Sequence, residues 1–513
     1  MVAQDGNSGT QLRTVRIYDT SKAEVVPLKP LNPPRVYMFA CGITPYKPSH
    51  IGHARAAVIY DVVARLLRHL GYHVFYMTNI TDIEDKIIKA ATEEGVDWRI
   101  VAERNFSLYI KAMEKMGVIS PNLYPRSTDF VPEIIEQIKT IIKNGHAYES
   151  EGDVYFDVAS FPSFGSLSGQ RIEKLEVGSR SEENTKKRAP EDFTLWKQER
   201  IGPRWESPWS MGRPGWHIED TAMTVTLFGP RYDIHGGGLE LKFPHHEAEI
   251  AQAESATGQH PLASIWMHNN MLNMHGEKMS KSLGNVLSID DAFKIVSPQV
   301  LRFYVLSAHY RSVLDYLGPD SMTEAKRSYE TLQSAYAKLN AFSNDRFKGK
   351  FPKEWKAPNG NAHYVLTWKE WIDLAYDTLP RDLEKNAGDK VEETMLSALC
   401  EDFQVREATS SLFTWGPEMG KALAERGLSM SDDDLLSLWR PYILAQRVLG
   451  YFLEEGPAAS ADVAPLVDVA LKARARARAR GDYAESDKIR QELASAGIVV
   501  EDSAAGPKWK VKQ

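Results

Sequence analysis

A strand, a loop, a helix and a second strand follow one another between residues 35 and 78, and this order constrains the fold more than any other feature. Arg35–Ala40 is a short apolar run rich in strand-forming residues, and a polar loop follows it. Apolar residues then recur at helical spacing over Ile59–Leu70, and Gly71 stands where such a helix would end. The next apolar run is Val74–Thr78. Such a βαβ unit joins parallel strands by a right-handed crossover and leaves a ligand crevice at their carboxyl ends, so we predict an α/β fold class.

The composition excludes several classes of protein. The chain has 513 residues, of which 43% are hydrophobic and 26% charged, so it can form several packed domains and is not a disordered chain. Its two cysteines cannot build a disulfide framework, and they fit a reducing compartment. The first residues lack the apolar stretch of a signal peptide, and no apolar run is long enough for a membrane helix. We therefore expect a cytoplasmic protein without a membrane partner.

The loop after the first strand ends in His50–Ile51–Gly52–His53, at the start of the predicted helix. A helix N-terminus presents free N–H groups and the positive end of the helix dipole, which suit a phosphate. Gly52 would let a flat base approach the backbone, and the two imidazoles could donate hydrogen bonds to phosphate oxygens. Standing alone, a four-residue pattern is explained better by packed or solvated histidines. A nucleotide-binding role therefore requires support from a second motif.

A second motif, Lys278–Met279–Ser280–Lys281–Ser282, lies 228 residues after His50 and is followed by Leu283–Gly284–Asn285. Two lysines among small residues suit a mobile loop that neutralises a triphosphate as charge develops on it. Alone, this motif could be an exposed basic loop. Together and in this order, the two motifs resemble the paired nucleotide-binding signatures of class I aminoacyl-tRNA synthetases.

A third group of residues has the chemistry of a metal site. Cys41 ends the first predicted strand, and Pro244 opens a helix that continues as His245–His246–Glu247–Ala248–Glu249. His245 and Glu249 share a helix face at i, i+4 and could bind one metal, while His246 is also close enough to Glu249. The spacing therefore leaves the ligand choice open. A zinc-protease helix is a poor alternative, because the order is HHxxE rather than HExxH and no third ligand follows.

Longer stretches resemble the cysteinyl-tRNA synthetase family over nearly the whole chain. They include CGITPYKPSHIGHARAAVIYDVVARLLRHLGY, TNITDIEDKIIKAA, EDFTLWK, GRPGWHIED, FPHHEAEIAQ, KMSKSLGN and the tail ARARGDYAESDKIRQELASAGIVVED. The resemblance implies a Rossmann-like, parallel-sheet catalytic domain with an insertion, followed by a mainly helical C-terminal half. It also implies ATP-dependent ligation of L-cysteine to its tRNA through a cysteinyl-adenylate. Pyrophosphate and AMP would be released, and Mg²⁺ would accompany the ATP.

The resemblance further implies a Zn²⁺ site of two cysteines, one histidine and one glutamate that binds the thiol of the substrate. Position by position, these ligands fall on Cys41, Asp220, His245 and Glu249. Asp220 stands where the family has a cysteine. Aspartate is a legitimate zinc ligand and keeps the ligand charge, but the site loses one of its two soft thiolates. Three interpretations stay open: zinc persists and selects cysteine, a metal binds but another amino acid is selected, or the metal is weak or absent.

The resemblance assigns other residues to the substrates. The catalytic groups that hold the phosphates and stabilise transition-state charge are His50, His53, Lys278 and Lys281. The glycines that would lie against ATP are Gly52, Gly236 and Gly237. The residues that would line the amino-acid pocket are Thr81, Trp216 and His235. A zinc–thiolate bond would separate cysteine from serine, which a plain pocket discriminates poorly because the two differ by one atom.

The C-terminal stretch is basic although the chain as a whole is acidic. Residues 471–513 contain ten Lys or Arg against six Asp or Glu, a net charge of +4, whereas the whole chain carries −7. Arginines alternate with alanines here, which favours a helix with two arginine faces rather than one ladder. Phosphate contacts and a stacking surface would come from Arg474, Arg476, Arg478, Arg480 and Trp509. The resemblance makes this stretch the anticodon-binding domain for tRNA(Cys).

Motifs and linkers divide the chain into seven predicted segments. They are an N-terminal lead (1–32), the first half of the catalytic domain (33–125), an acceptor-end-binding insertion (126–212), the second catalytic half with the metal site and lysine loop (213–300), a stem-contact region (301–385), a helical bundle (386–465) and the small basic anticodon-binding domain (466–513). The stretch Asn344–Asn361, rich in Lys, Pro, Gly and Asn, is interpreted as a loop or linker.

Two other functions are kept as alternatives. A related ligase would activate another amino acid or transfer cysteine to a small amine acceptor, but it would not need the long C-terminal half and its basic tail. A catalytically silent RNA-binding protein would show eroded signatures, whereas both nucleotide motifs are intact. The resemblance also implies a monomer, with ATP, L-cysteine and tRNA(Cys) as partners.

Overall fold

The structure is a computed structural model of the chain. It describes residues 12–170, 185–279, 285–351, 353–356, 363–378, 380–452, 470–471, 473–475, 477–478, 480, 482–495, 498–503 and 506–511. The chain folds into two compact units, Met1–Phe452 and Leu453–Gln513.

The first unit begins with a hairpin and the βαβ unit that the sequence predicts. Its elements are β1 (Arg16–Asp19), β2 (Glu24–Pro27), β3 (Arg35–Ile43), α1 (Ile51–His69), β4 (His73–Ile80), α2 (Asp85–Glu94) and α3 (Trp98–Lys115). The apolar stripe of α1 is buried. Gly71, with a φ of +89°, turns the chain just after α1, in a conformation that glycine adopts at low cost.

A separate antiparallel sheet follows the first βαβ unit. Its elements are α4 (Val131–Lys143), β5 (Ala147–Ser150), β6 (Asp153–Phe156), β7 (Phe193–Gln198) and β8 (Gly212–Pro214). The four strands pair in chain order, each antiparallel to the next. Apolar residues of this sheet pack on α4 in a core that includes Ile138, Phe156 and Trp196.

The chain then returns to the parallel sheet. The returning elements are α5 (Ile218–Phe228), β9 (Tyr232–Gly238), α6 (Glu247–Thr257) and β10 (Ala263–Asn269). β9 pairs with β3, and β10 with β9, so the parallel sheet has the order β4–β3–β9–β10. The α1 crossover connects β3 to β4 at one edge of the sheet, and the α6 crossover connects β9 to β10 at the opposite edge. The boundary between β3 and β9 is therefore the switch point at which ligands bind in such sheets.

A small three-stranded sheet and two short helices lead out of the parallel sheet. They comprise β11 (Leu272–Met274), β12 (Glu277–Lys278), α7 (Ile289–Ile295), α8 (Pro298–Val305) and β13 (Leu314–Tyr316). β11 pairs antiparallel with β12 and parallel with β13.

The remainder of the first unit is mainly helical. It contains α9 (Pro319–Arg346), β14 (Lys353–Lys356), β15 (His363–Leu366), α10 (Trp368–Thr378), α11 (Ala387–Cys400), α12 (Val405–Arg426) and α13 (Asp432–Leu444). The linker interpretation of Asn344–Asn361 is wrong in part, since α9 extends into it and β14 pairs with β15 as a hairpin. Composition did not reveal this pairing, because strands of four residues give almost no periodic signal. The predicted fold class, a Rossmann-like parallel sheet followed by a mainly helical half, is confirmed.

A buried ion pair connects α1 to the helical half. The carboxylate of Asp61 accepts hydrogen bonds from Arg302 Nη2 at 2.6 Å and from Arg65 Nε at 2.7 Å. Arg302 also donates to Leu449 O at 2.6 Å and to Met116 O at 3.1 Å. Both members of the Asp61–Arg302 pair are fully buried. Three segments that are distant in sequence therefore meet at the guanidinium of Arg302.

The second unit has its own small core. Described residues between 470 and 478 are helical and are followed by α14 (Tyr483–Ser495), β16 (Ile498–Ser503) and β17 (Gly506–Val511). β16 and β17 form an antiparallel hairpin. Its core contains Leu471, Leu493, Ile498 and Val500. Among the described helices of the whole chain, none has the length and apolarity to span a membrane.

Candidate active site and metal centre

The two histidines of the first motif form the N-terminus of α1. His50 is the N-cap residue: its Nδ1 accepts the Gly52 N–H at 3.1 Å, and His53 Nδ1 accepts the His50 N–H at 3.1 Å. The rings stack with centroids 3.8 Å apart. Since each ring uses Nδ1 as an acceptor, its proton lies on Nε2. Both imidazoles thus carry their N–H at Nε2, near the positive end of a helix.

The segments around the second motif lie beside the first. Ile51 N–H donates to Leu287 O at 3.1 Å, and Ile289 N–H donates to Ser49 O at 3.0 Å. A Cβ built on Gly52 would lie 3.4 Å from the Cε of Met279. The structure therefore places Met279 and the segment that begins at Leu287 beside a motif more than 200 residues earlier in the sequence. Lys278 ends β12, and Lys281 lies outside the described residues.

A cluster of ligand-type atoms lies at the switch point. The four predicted ligands converge there, and one donor atom from each lies within 4.8 Å of every other: Cys41, Asp220, His245 and Glu249. His245 Nε2 is 3.1 Å from Asp220 Oδ2 and 3.1 Å from Glu249 Oε1. Cys41 Sγ is 3.6 Å from Asp220 Oδ2. The predicted four residues are thus gathered around one point.

A second set of four donors overlaps the first. It shares Cys41 and Glu249 and replaces the other two ligands by His235 and His246. His246 Nε2 lies 3.2 Å from Cys41 Sγ, and His235 Nε2 lies 3.4 Å from Glu249 Oε2. The sequence spacing did not decide between His245 and His246 as ligands, and in the structure both rings lie in the cluster. The two sets share Cys41 and Glu249, so they are overlapping parts of one cluster.

Outer partners orient these histidines. Their Nδ1 atoms face other polar groups: His217 Nδ1 lies 2.7 Å from His245 Nδ1, His268 Nε2 lies 2.8 Å from His246 Nδ1, and the Tyr232 hydroxyl lies 2.6 Å from His235 Nδ1. Each ring therefore points Nε2 at the cluster. This arrangement, in which the second ring nitrogen is held by another group, is typical of histidines that bind metals.

The electrostatics of the cluster fit a bound cation. Burial and the charges of Glu249 and Asp220 raise the pKa of the Cys41 thiol, and burial with Asp220 raises the pKa of Glu249. Burial and neighbouring histidines lower the pKa values of His235 and His246, which keeps these rings neutral. Buried acidic groups beside neutral imidazoles are costly to ionise by themselves and become good ligands when a metal ion supplies the counter-charge. The chemistry of the residues present therefore fits a metal site.

Asp220 is positioned by the first turn of α5 and by a neighbour on β4. It is 1% exposed. Its Oδ2 faces the cluster, whereas its Oδ1 accepts a hydrogen bond from the side-chain amide of Asn79. The aspartate thus occupies the ligand position with one oxygen.

The three predicted pocket residues surround the cluster. Trp216, 43% exposed, stacks on the His245 ring with centroids 4.6 Å apart. His235 is fully buried and stacks on Trp266 at 4.2 Å. Thr81 Oγ1 donates to Glu219 Oε1 at 3.1 Å. The cluster thus has an aromatic face at Trp216 and a hydroxyl group, that of Thr81, in its surroundings.

The predicted nucleotide glycines, Gly236 and Gly237, pack against the protein's own rings. A Cβ on Gly236 would collide with the Tyr60 ring, and one on Gly237 would come within 2.7 Å of His246 Cε1. The Tyr60 hydroxyl accepts the Gly237 N–H at 2.6 Å. Internal packing is therefore a physical reason for glycine at both positions, in addition to the predicted approach of ATP.

The predicted tRNA-contacting residues differ in exposure. Arg478 and Arg480 are exposed, whereas Arg474 is 5% exposed although the spacing places it on the same helix face as Arg478. Arg476 lies outside the described residues, and Trp509 lies in β17. Of the described arginines in this group, Arg478 and Arg480 are therefore the two at the surface.

Sequence reasoning missed the outer residues of the site. Asn79, Tyr232, His217 and His268 each contact a group in the cluster. Asn79 stands in TNITDIEDKIIKAA, a stretch that carries the family resemblance, two residues before Thr81. That position, close to a predicted pocket residue, is the sequence feature that could have identified Asn79 as part of the site.

Comparisons with known proteins agree with this geometry. The profile of the tRNA synthetases class I (C) catalytic domain matches residues 27–327, and that of the cysteinyl-tRNA ligase anticodon binding domain matches residues 460–509. Among solved structures, methionyl-tRNA synthetase of Mycobacterium tuberculosis is similar with a TM-score of 0.55 and 15% identity, over 81% of this chain and 92% of that one. The parallel sheet, the paired motifs and these matches define a class I aminoacyl-tRNA synthetase.

Curated relatives define the family within that class. Cysteine–tRNA ligase of Trichlorobacter lovleyi is 38% identical over 97% of this chain and 100% of its own length. The Deinococcus radiodurans enzyme is 40% identical over 97% of this chain and 96% of its own length. The chain belongs to the cysteine–tRNA ligase family.

Proposed function

We propose that this protein ligates L-cysteine to tRNA(Cys) in two steps. In the first, the cysteine carboxylate attacks the α-phosphorus of ATP, the bond to the β-phosphate oxygen breaks, and pyrophosphate leaves. In the second, a hydroxyl of the terminal adenosine of the tRNA attacks the carbonyl carbon of the cysteinyl-adenylate, and AMP leaves. The observation that carries this proposal is the full-length similarity to cysteine–tRNA ligases, and the two nucleotide motifs that are intact in the sequence support it.

The catalytic groups would act by position and charge. His50 and His53 present Nε2 donors at the N-terminus of α1, where the phosphates of ATP would lie. Lys278 and Lys281 would stabilise the negative charge that develops as pyrophosphate departs. Such preorganised donors need no covalent enzyme intermediate. Mg²⁺ is expected to accompany ATP because the triphosphate carries several negative charges.

The metal centre would select the amino acid. Zn²⁺ would be held by Cys41, Asp220, His245 and Glu249, and when bound it supplies a Lewis-acidic partner for the substrate thiol. Trp216 and His235 would close the pocket around that thiol, and Thr81 lies nearby to orient the substrate. A hydroxyl is a weaker ligand than a thiolate for zinc, so this site would favour cysteine over serine.

The C-terminal unit would bind the anticodon, the insertion over residues 126–212 would contact the acceptor end, and residues 301–385 would contact the tRNA stem. The match of residues 460–509 to an anticodon-binding domain supports the first assignment. It also argues against a small amine acceptor, which would need no RNA-binding module. We further propose that the enzyme is a cytoplasmic monomer, in keeping with a chain of two cysteines that fits a reducing compartment.

Truncation after Phe452 tests the proposed division of labour. We expect tRNA charging, as kcat/KM, to fall by about 10²-fold or more, because the lost unit would neutralise several phosphates. Pyrophosphate exchange with cysteine should change by less than about threefold, since the adenylate site lies in the first unit. An equal loss of both activities would refute the role assigned to the tail. The matched control is Arg478→Ala with Arg480→Ala in the full chain, which should weaken charging alone.

A further inference from the structure

Asn79 lies between two of the elements that carry the metal ligands. It is on β4, 2% exposed, opposite a bulge of β3 at which Cys41 and Gly42 face the single residue Asn79. A Cβ on Gly42 would collide with the main-chain oxygen of Asn79. The two strands therefore approach each other closely next to the thiol ligand.

The amide of Asn79 has a fixed orientation. Its Oδ1 accepts the Gly42 N–H at 2.7 Å. A backbone N–H can only donate, so the oxygen must face Gly42 and the NH₂ group must face the other way. That NH₂ group donates to Asp220 Oδ1 and lies 3.4 Å from Thr81 Oγ1. Asn79 thus ties the residue after Cys41 to the carboxylate of Asp220.

This contact bears on the difference between aspartate and cysteine. A thiolate offers one ligand atom, whereas a carboxylate offers two oxygens and can rotate or bind through both. In this chain one oxygen, Oδ1, is engaged by Asn79, and the other, Oδ2, lies 3.1 Å from His245 Nε2 and 3.6 Å from Cys41 Sγ. The Asp220 carboxylate is therefore held so that only Oδ2 faces the cluster, where the sulfur of a cysteine would otherwise lie.

We propose that Asn79 is a positioning residue that makes Asp220 a one-oxygen metal ligand. The proposal rests on the metal centre described under the proposed function and deepens it. A donor that holds the non-ligating oxygen fixes the direction of the other oxygen. Outer contacts of this kind are worth about 10- to 100-fold in metal affinity.

A double-mutant cycle on the full-length protein tests this role, with Zn²⁺ affinity measured by chelator competition in the absence of substrates. We expect Asn79→Leu to weaken Zn²⁺ binding about 10- to 100-fold in the native background. In the Asp220→Cys background the same change should cost less than about threefold, because a thiolate has no second oxygen to be held. Asn79→Asp retains an acceptor for Gly42 N–H but places a carboxylate against Asp220, and it should weaken binding at least as much as the leucine.

Three results would overturn the proposal. They are equal losses of Zn²⁺ affinity in the two backgrounds, no loss of affinity in either background, and an unsubstituted protein that does not bind Zn²⁺. The thermal unfolding midpoint of each variant is measured with a chelator present, so that no metal contributes to it. Only variants whose metal-free midpoint equals that of the unsubstituted protein enter the cycle, and a folding defect is thereby separated from a lost ligand. Pyrophosphate exchange by the unsubstituted enzyme tests the ligase function on its own. A failure of that activity and a failure of the affinity cycle are therefore distinguishable.

Discussion

Replacing His50 by asparagine is expected to lower the rate of cysteinyl-adenylate formation by about 10²- to 10³-fold, the usual cost of removing one preorganised donor from a transition state. The change leaves the helix start intact, because asparagine is among the best N-cap residues and can accept the Gly52 N–H that His50 Nδ1 now accepts. The measurement is single-turnover adenylate formation with saturating ATP and cysteine. His50→Asn thus removes the imidazole while the cap remains.

A parallel variant at the second histidine serves as a check. His53→Gln preserves the acceptor for His50 N–H, since glutamine at the third helical position completes a capping box. We expect a similar fall in rate and a thermal unfolding midpoint close to that of the unsubstituted protein. Rates within about threefold of the native enzyme in both variants would show that the imidazoles do not contact the phosphates in the transition state.

Arg302→Met is expected to destabilise the first unit by about 3–5 kcal/mol, the usual cost of breaking a buried pair by removing one partner. The substitution leaves Leu449 O and Met116 O without their donor and removes one of the two arginines at Asp61. The measurement is the free energy of unfolding in urea. As a control, Arg104→Met removes an exposed partner of Glu94 and should leave the unfolding midpoint unchanged.

The Asp61–Arg302 ion pair also predicts how the stability of the first unit depends on pH. Burial by itself would raise the pKa of Asp61, but Arg302 and Arg65 outweigh it and lower that pKa below its ordinary value of 3.8. A carboxyl with a lowered folded pKa stabilises the protein fully above its unfolded pKa, and this contribution is lost as the pH falls through the folded pKa. The stability difference between the native protein and Arg302→Met should therefore narrow below about pH 3.8. A difference that stays constant down to pH 2 would contradict this assignment.

The sequence predicted the parts of the fold that depend on local pattern. The apolar spacing over Ile59–Leu70 predicted α1, and strand, helix, strand order predicted a parallel sheet. The metal-site residues were predicted from the family pattern, and the structure gathers them at one point. The hairpin of β14 and β15 was missed, because its strands are four residues long.

What the sequence could not provide were contacts between distant side chains. The bond from Asn79 to Asp220 joins residues 141 positions apart, and it depends on the bulge beside Cys41. The burial of Arg474 is another such case, because alternating arginines and alanines specify a helix but not which arginine packs inward. Such details follow from how the elements pack, which neither periodicity nor spacing encodes.

The central claim is that an aspartate-containing metal site selects cysteine for activation by ATP. It is tested most directly by pyrophosphate exchange with cysteine and with serine, on protein whose zinc content is measured in the same preparation. We predict about one zinc per chain and a kcat/KM for cysteine that exceeds that for serine by more than the roughly 10²-fold reached by a plain pocket. Exchange with serine within about tenfold of cysteine, or activity with cysteine in protein free of zinc, would contradict it.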